Sequence, residues 1–155
     1  MNKILITEFM DQSAIDLLNK KFEIIYDDEI WKNSDLIERK IENVDVIIVR
    51  NKTQLNSNIL QNAKKLKFIG RLGVGLDNID TNFCEKNNIK IQTATGMNAD
   101  SVAEYVINSS LSLLRKIPNL NSSTIKGEWP RTSISSNELQ GKTLGIIGFG
   151  LIGRK

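Results

Sequence analysis

The stretch Phe68-Ile69-Gly70-Arg71-Leu72-Gly73-Val74-Gly75-Leu76-Asp77-Asn78-Ile79-Asp80 begins as an apolar run and breaks into a glycine turn. A short apolar run bounded by turn residues suits a strand covered on both faces, so Phe68 to Leu72 reads as a buried strand. The glycines then fall at its carboxyl end, the edge where open α/β sheets place their ligands. Two glycines around Val74 leave successive backbone N–H groups free to converge on one small anion, and a carboxylate has that size. The alternative is a plain tight turn capped by Asp77 or Asn78.

Outward from this stretch the same pattern repeats. Lys3 to Thr7, Phe22 to Tyr26, Val44 to Val49 and Ile89 to Gln92 read as further strands, with segments of helical period between them. Ser13 caps a helix with Ala14, Leu17 and Leu18 on one face. Asn33 or Ser34 caps a second, with Leu36, Ile37 and Ile41 as its stripe and an end near Asn43. Short helices fit Ile59 to Lys65 and the residues after Asp80. Five strands with crossover helices make an α/β, doubly wound parallel sheet that ends near Gly96. Apolar residues at helical spacing then predict a long helix from Ala99 to about Ile117, with Asp100 or Ser101 to cap it and Pro118 marking its end or kink. A second helix fits Leu120 to Lys126 with Gly127 as its stop. A polar loop, Glu128 to Gln140, leads to a last strand, Thr143 to Ile147.

Composition narrows the class of protein. The 155 residues are 40% hydrophobic and 25% charged with two prolines, as expected of a folded chain of one domain, or one domain plus a piece. The 21 basic and 18 acidic residues are interleaved, so neither a nucleic-acid arm nor a basic membrane patch is expected. The apolar runs are strand-sized, too short to span a bilayer. One cysteine, Cys84, cannot form an internal disulfide, and the chain does not open like a secretory leader, so the cytoplasm is the expected location. There is no histidine to activate Cys84, which reads as a small buried apolar residue; no catalytic residue and no metal-ligand set is assigned.

Gly148-Phe149-Gly150-Leu151-Ile152-Gly153 has dinucleotide-fingerprint spacing directly after the expected strand Thr143 to Ile147. In that motif the first glycine makes a tight turn, the second lets a pyrophosphate approach the backbone, and the third lets helix and strand pack. The residue that would separate NAD from NADP is not among these, so the choice between them is open on the residues alone. Arg50, Asn51 and Lys52 follow the third strand at the same sheet edge, where a cation suits an anionic substrate. Thr95-Gly96-Met97-Asn98 ends the fifth strand.

Together, Arg50-Asn51-Lys52-Thr53, the GRLGVGLDNID run, NADSVAEYV from Asn98, the KGEWPR run and the GKTLGIIGFGLIGRK ending resemble the NAD-dependent 2-hydroxyacid dehydrogenases of the phosphoglycerate dehydrogenase type, in order and in spacing. The resemblance covers Lys3 to Lys155. It implies a flavodoxin-like substrate-binding domain over 1–98, followed over 99–155 by the linking helices and first strand of a truncated Rossmann domain. It implies NAD as cofactor and a small anionic 2-hydroxy acid as substrate, with 3-phosphoglycerate first, which would place the protein in serine biosynthesis; sulfolactate-type members also share ATGMNADSVAEY. By residue matching, Gly73, Val74 and Gly75 receive the substrate carboxylate, with Val74 also close to the nicotinamide. Arg50, Asn51 and Asn98 are substrate-side polar residues, and Gly148, Gly150, Leu151, Ile152 and Gly153 meet the cofactor. Trp129 and Arg131 fall in a segment used at a homodimer interface. The histidine base, its carboxylate and an arginine would lie beyond Lys155, so this chain alone is expected to be inactive. A non-catalytic NAD-sensing or corepressor-like module, or a protein-interaction module of the same fold, is the alternative. A phosphoacceptor signalling module would need paired acids after the first strand and an aspartate ending the third, but Glu8 stands alone and Arg50 occupies the other place.

Overall fold

A parallel strand can be satisfied only by neighbours brought back by crossovers, and the apolar runs meet this demand in one all-parallel sheet. The computed structural model describes residues 2–155, which divide into two compact units, 2–95 and 96–155. In the first unit β1 (Lys3–Ile6), β2 (Glu23–Tyr26), β3 (Val46–Val49), β4 (Phe68–Arg71) and β5 (Lys90–Thr93) lie in the order β2-β1-β3-β4-β5. Ile6 pairs with Ile48, Val49 with Arg71, and Arg71 with Thr93, so the strands end level along one edge.

Alternate residues of each strand go to opposite faces, and both faces are covered. Leu5, Ile47, Val49 and Ile69 pack on one face with Ile37 and Ile41 of α2 (Ser34–Ile41), Ile59 and Leu60 of α3 (Ser57–Leu60), and Cys84 of α4 (Thr81–Lys86). On the other face Ile4 and Ile6 pack with Ile15 and Leu18 of α1 (Gln12–Asn19). The doubly wound sheet expected from the sequence is therefore formed. Burial raises the Cys84 thiol, with help from the Asp80 carboxylate, to a pKa of about 11.

The helix starts correct several expectations. Asp11, not Ser13, caps α1: its Oδ1 accepts the Ser13 N–H at 3.0 Å, and the Ser13 hydroxyl donates to the same oxygen. The longer aspartate, placed just before the helix, reaches the exposed N–H groups that a serine two residues later cannot. Asn33 caps α2 by accepting from Leu36 N at 3.1 Å, and the helix stops at Ile41, short of Asn43. α3 is one turn, Ser57–Leu60, capped by Asn56, in place of a helix over Ile59 to Lys65. The third strand starts at Val46 instead of Val44, because Asp45 turns its carboxylate to the Lys3 N–H at 3.0 Å.

In the second unit α5 runs Ala99–Arg115 and α6 runs Ile117–Ile125. Lys116 separates them in the left-handed region, at φ 51° and ψ 39°. Pro118 therefore lies in the first turn of α6, where a missing N–H costs no helical bond, and it opens a helix instead of ending one. Neither Asp100 nor Ser101 caps α5; both lie inside it, and Asn98 at the N-cap makes no side-chain bond to the helix. The strand expected over Thr143 to Ile147 is not formed. No neighbouring strand accompanies it among the described residues, and Leu144, Ile146 and Ile147 are exposed. No helix of the described residues is long and apolar enough to cross a membrane.

Replacing Ile47, fully buried at the sheet centre, by alanine should cost about 2–5 kcal/mol, whereas Ile147→Ala should change stability by less than about 0.5 kcal/mol. Urea unfolding followed by circular dichroism measures both. Equal losses would mean that residues 143–147 are packed after all.

Candidate active site

The level strand ends place three loops together. β3 and β4 are neighbours in register, so Arg50 and Leu72 leave the sheet side by side, with Leu72 N donating to Val49 O at 2.8 Å. The loop after β3 is held from the β1 side by Glu8, a buried residue. Its Oε1 accepts from Arg50 N at 2.8 Å and Thr53 N at 3.0 Å, and its Oε2 accepts from Lys52 N at 3.0 Å. Beneath it the hydroxyls of Thr7 and Thr53 share a hydrogen bond of 2.7 Å. From the β4 side, Asn78 Nδ2 donates to Arg50 O at 3.0 Å and Thr53 O at 2.7 Å. Asn78 is therefore a brace between two loops, not a local cap of its own turn.

Burial alone would raise the Glu8 carboxyl, but the N–H groups of Thr53, Arg50 and Lys52 outweigh it and hold the pKa below its ordinary value. The charge is satisfied by backbone dipoles. Among the described residues neither Arg50 nor Lys52 forms an ion pair, and both are exposed along with Asn51. Lys52 Nζ lies 4.4 Å from the centroid of the Trp31 ring, a cation–π contact that limits where the ammonium can go. A cavity of about 560 Å³ opens here, lined by Glu8, Phe9, Trp31, Arg50, Asn51 and Lys52 among others.

The glycine turn differs in detail from its sequence-based expectation. Gly73 N–H is already spent on Arg71 O at 2.8 Å, while those of Val74 and Gly75 donate to no acceptor among the described residues. The turn therefore keeps two unspent N–H groups among the described residues. Neither Gly73 nor Gly75 has a positive φ, so the backbone itself does not demand glycine. What crowds Gly73 is the Arg71 guanidinium, whose Cζ would lie 2.9 Å from an added Cβ. Arg71 Nε is buried with no hydrogen-bond partner among the described residues, which puts a second cation beside the turn. The sequence gives no local signal for Asn78 or Glu8 in these roles, since each acts between segments far apart in sequence, and none for which way the Arg71 guanidinium turns.

In the second unit Asn98 is exposed at the start of α5, its side chain bonded to no helix N–H. Gly148 has φ +94°, which favours glycine. A Cβ on Gly153 would run into the Gly148 carbonyl and stand 3.2 Å from Phe149 Cα. Gly150 O accepts from Arg154 N at 3.2 Å, closing one helical turn, and the N–H groups of Leu151, Ile152 and Gly153 donate to no acceptor among the described residues. A glycine turn whose next N–H groups are unspent at the start of a helical turn fits a pyrophosphate. Trp129 and Arg131 are exposed. Among the described residues no cluster of three or more His, Cys, Asp or Glu could hold a metal.

Residues 4–146 match the family described as D-isomer specific 2-hydroxyacid dehydrogenase, catalytic domain. The chain belongs to this 2-hydroxyacid dehydrogenase family. It is 38% identical over 154 residues to (S)-sulfolactate dehydrogenase from Chromohalobacter salexigens, a match covering 99% of this chain and 50% of that one. It is 39% identical over 155 residues to D-3-phosphoglycerate dehydrogenase from Methanocaldococcus jannaschii, covering 100% and 29%. Among solved structures, NAD-dependent formate dehydrogenase from Staphylococcus aureus in complex with NAD superposes with a TM-score of 0.76 at 28% identity, covering 99% of this chain and 51% of that one. The chain thus spans between 29% and 51% of the length of these dehydrogenases.

The sign of the Glu8 shift fixes an acid sensitivity. A carboxylate whose folded pKa is depressed contributes stability above its unfolded value of about 4.5, and that contribution is lost as pH falls through the lower folded value. Asp11, through the Ser13 hydroxyl and N–H, and Asp45, through the Lys3 N–H and then Lys67, are lowered too and add to the slope. Thermal melts between about pH 7 and 3 should show stability falling below about pH 4.5, and less steeply in Glu8→Gln. Parallel curves for the two proteins would contradict the Glu8 assignment.

Proposed function

We propose that the chain supplies the substrate-binding unit and the first part of the cofactor-binding unit of an NAD-dependent dehydrogenase acting on a small anionic 2-hydroxy acid. The observation that carries this reading is the pair of N–H groups at Val74 and Gly75, one strand over from the Arg50 guanidinium, all without a partner among the described residues. The two N–H groups receive a carboxylate, and Arg50, with Asn51 beside it, attracts and orients the remainder of the anion. Residues 1–98 make up the substrate-binding domain, and residues 99–155 hold the linking helices and the opening of the NAD-binding domain. Asn98 is assigned to the substrate side on the family match.

Gly148, Gly150, Leu151, Ile152 and Gly153 would hold the pyrophosphate of NAD through backbone N–H groups, and Val74 would lie toward the nicotinamide. When bound, the nicotinamide supplies the hydride acceptor. Proton removal from the hydroxyl is assigned in this family to a histidine, and this chain has none. We therefore expect no turnover by the 155-residue chain alone. The substrate we favour is 3-phosphoglycerate, with sulfolactate as the alternative that the names of its relatives support equally. A cytoplasmic homodimer, with Trp129 and Arg131 at the interface, completes the reading.

Titration of the ¹⁵N-labelled chain with D-3-phosphoglycerate should move the Val74 and Gly75 amide signals first. Arg50→Ala should weaken that binding by about one to two decades, the loss of one charge-assisted contact. NAD should perturb Leu151 to Gly153 without any NADH appearing. Saturable binding that leaves Val74 and Gly75 unmoved would overturn the assignment of the turn.

A further inference from the structure

We infer that Glu8 is a positioning residue of the anion site: by holding the N–H groups of Arg50, Lys52 and Thr53 on one carboxylate, it sets the direction in which the Arg50 guanidinium leaves the loop. This rests on the reading of Val74, Gly75 and Arg50 as an anion site. Glu8 does not touch the proposed substrate; its effect passes through the loop.

A buried carboxylate is costly unless it is fully hydrogen-bonded, and here three N–H donors at 2.8–3.0 Å meet that need. None of them is a cationic side chain. Glu8 therefore does not neutralise Arg50 or Lys52, the arrangement an ion pair would have imposed. It grips the loop from behind and leaves both cations available. Fixing Arg50 N and Thr53 N on the same oxygen fixes the two ends of the turn, and the Asn78 amide holds the carbonyls of those two residues. The loop is thus clamped through donors on one side and acceptors on the other. A glutamine at position 8 keeps the shape but must turn an NH₂ toward at least one N–H, a donor facing a donor, and the loop must rotate to relieve it.

Positioning and simple electrostatics by Glu8 predict opposite signs. If Glu8 acted only as a nearby negative charge, its removal would strengthen anion binding. If it positions Arg50, its removal weakens anion binding even though the site becomes more positive.

The experiment uses the 155-residue chain with D-3-phosphoglycerate as probe and amide NMR as readout, for wild type, Glu8→Gln, Glu8→Asp, Arg50→Ala and the Glu8→Gln/Arg50→Ala double variant. Glu8→Gln should weaken binding about tenfold, Glu8→Asp should recover part of it, and in the Arg50→Ala background Glu8→Gln should change affinity by less than about twofold. Equal or tighter binding by Glu8→Gln would sink the inference, as would a full tenfold loss persisting without Arg50. Should Glu8→Gln fail to fold, the wild type is titrated with acid instead. Arg50, Lys52, Lys32, Asp28 and Glu29 line the same cavity as Glu8, so the titration is read in an Asp28→Asn/Glu29→Gln background. The Arg50, Lys52 and Thr53 amides should share one midpoint below about 4.5, with the Arg50 Nε–H signal following it; an Arg50 signal that stays still overturns the proposal. Absence of probe binding by every variant, wild type included, would sink the anion-site reading and this inference with it. Binding that Glu8→Gln leaves unchanged would sink the inference alone.

Discussion

Parallel pairing of β3 with β1 on one side and β4 on the other is the constraint from which the rest follows. A strand paired in parallel on both edges cannot be joined to its neighbours by hairpins, so helices must cross both faces and every strand must run the same way. The carboxyl ends then fall along one edge, and the loops after β1, β3 and β4 meet there without any further instruction. In an order of β2-β1-β3-β4-β5 the crossovers change sides between β1 and β3, the place where such sheets open a crevice. Glu8 and Arg50 stand on the two sides of that opening.

In the proposed reading, much of the recognition surface is main chain. In the first unit the N–H groups of Val74 and Gly75 are unspent, and in the second those of Leu151, Ile152 and Gly153. Exchanging water for a carboxylate or phosphate oxygen at such a group loses no hydrogen bond and gains a charge-assisted one. Side chains set the background potential: Arg50, Lys52 and Arg71 are positive around the first turn, Glu8 is occupied by backbone donors, and the Asp77 carboxylate stands beside Gly75, its Oδ2 2.9 Å from where a Cβ would be.

The sheet was legible because its signal is local. Apolar runs such as Val46 to Val49 and Phe68 to Arg71 declare a strand buried on both faces by their own composition. Helix caps were less legible, since Asp11 and Ser13 carry the same capping chemistry two positions apart and only the emerging helix chooses between them. Lys116 in the left-handed region carries no glycine to announce it. Thr143 to Ile147 has the composition of a strand, but strand formation belongs to a pair, and apolar composition without a partner is not enough. Which N–H groups of the glycine turn stay unspent was not legible, because the Gly73 bond to Arg71 O depends on backbone geometry. Glu8 and Asn78 act between segments far apart in sequence, where no spacing rule reaches.

The burial of Cys84 bears on how the protein can be handled. With its thiol pKa near 11 and its sulfur packed under α4, almost none of it is thiolate near neutrality, and thiolate is the form that alkylating reagents, peroxide and disulfides attack. As the chain's only cysteine, it leaves a chemically silent background. A cysteine introduced at an exposed position, such as the loop beyond α6, would therefore be the one thiol that takes a maleimide dye or spin label, with the wild-type core left untouched.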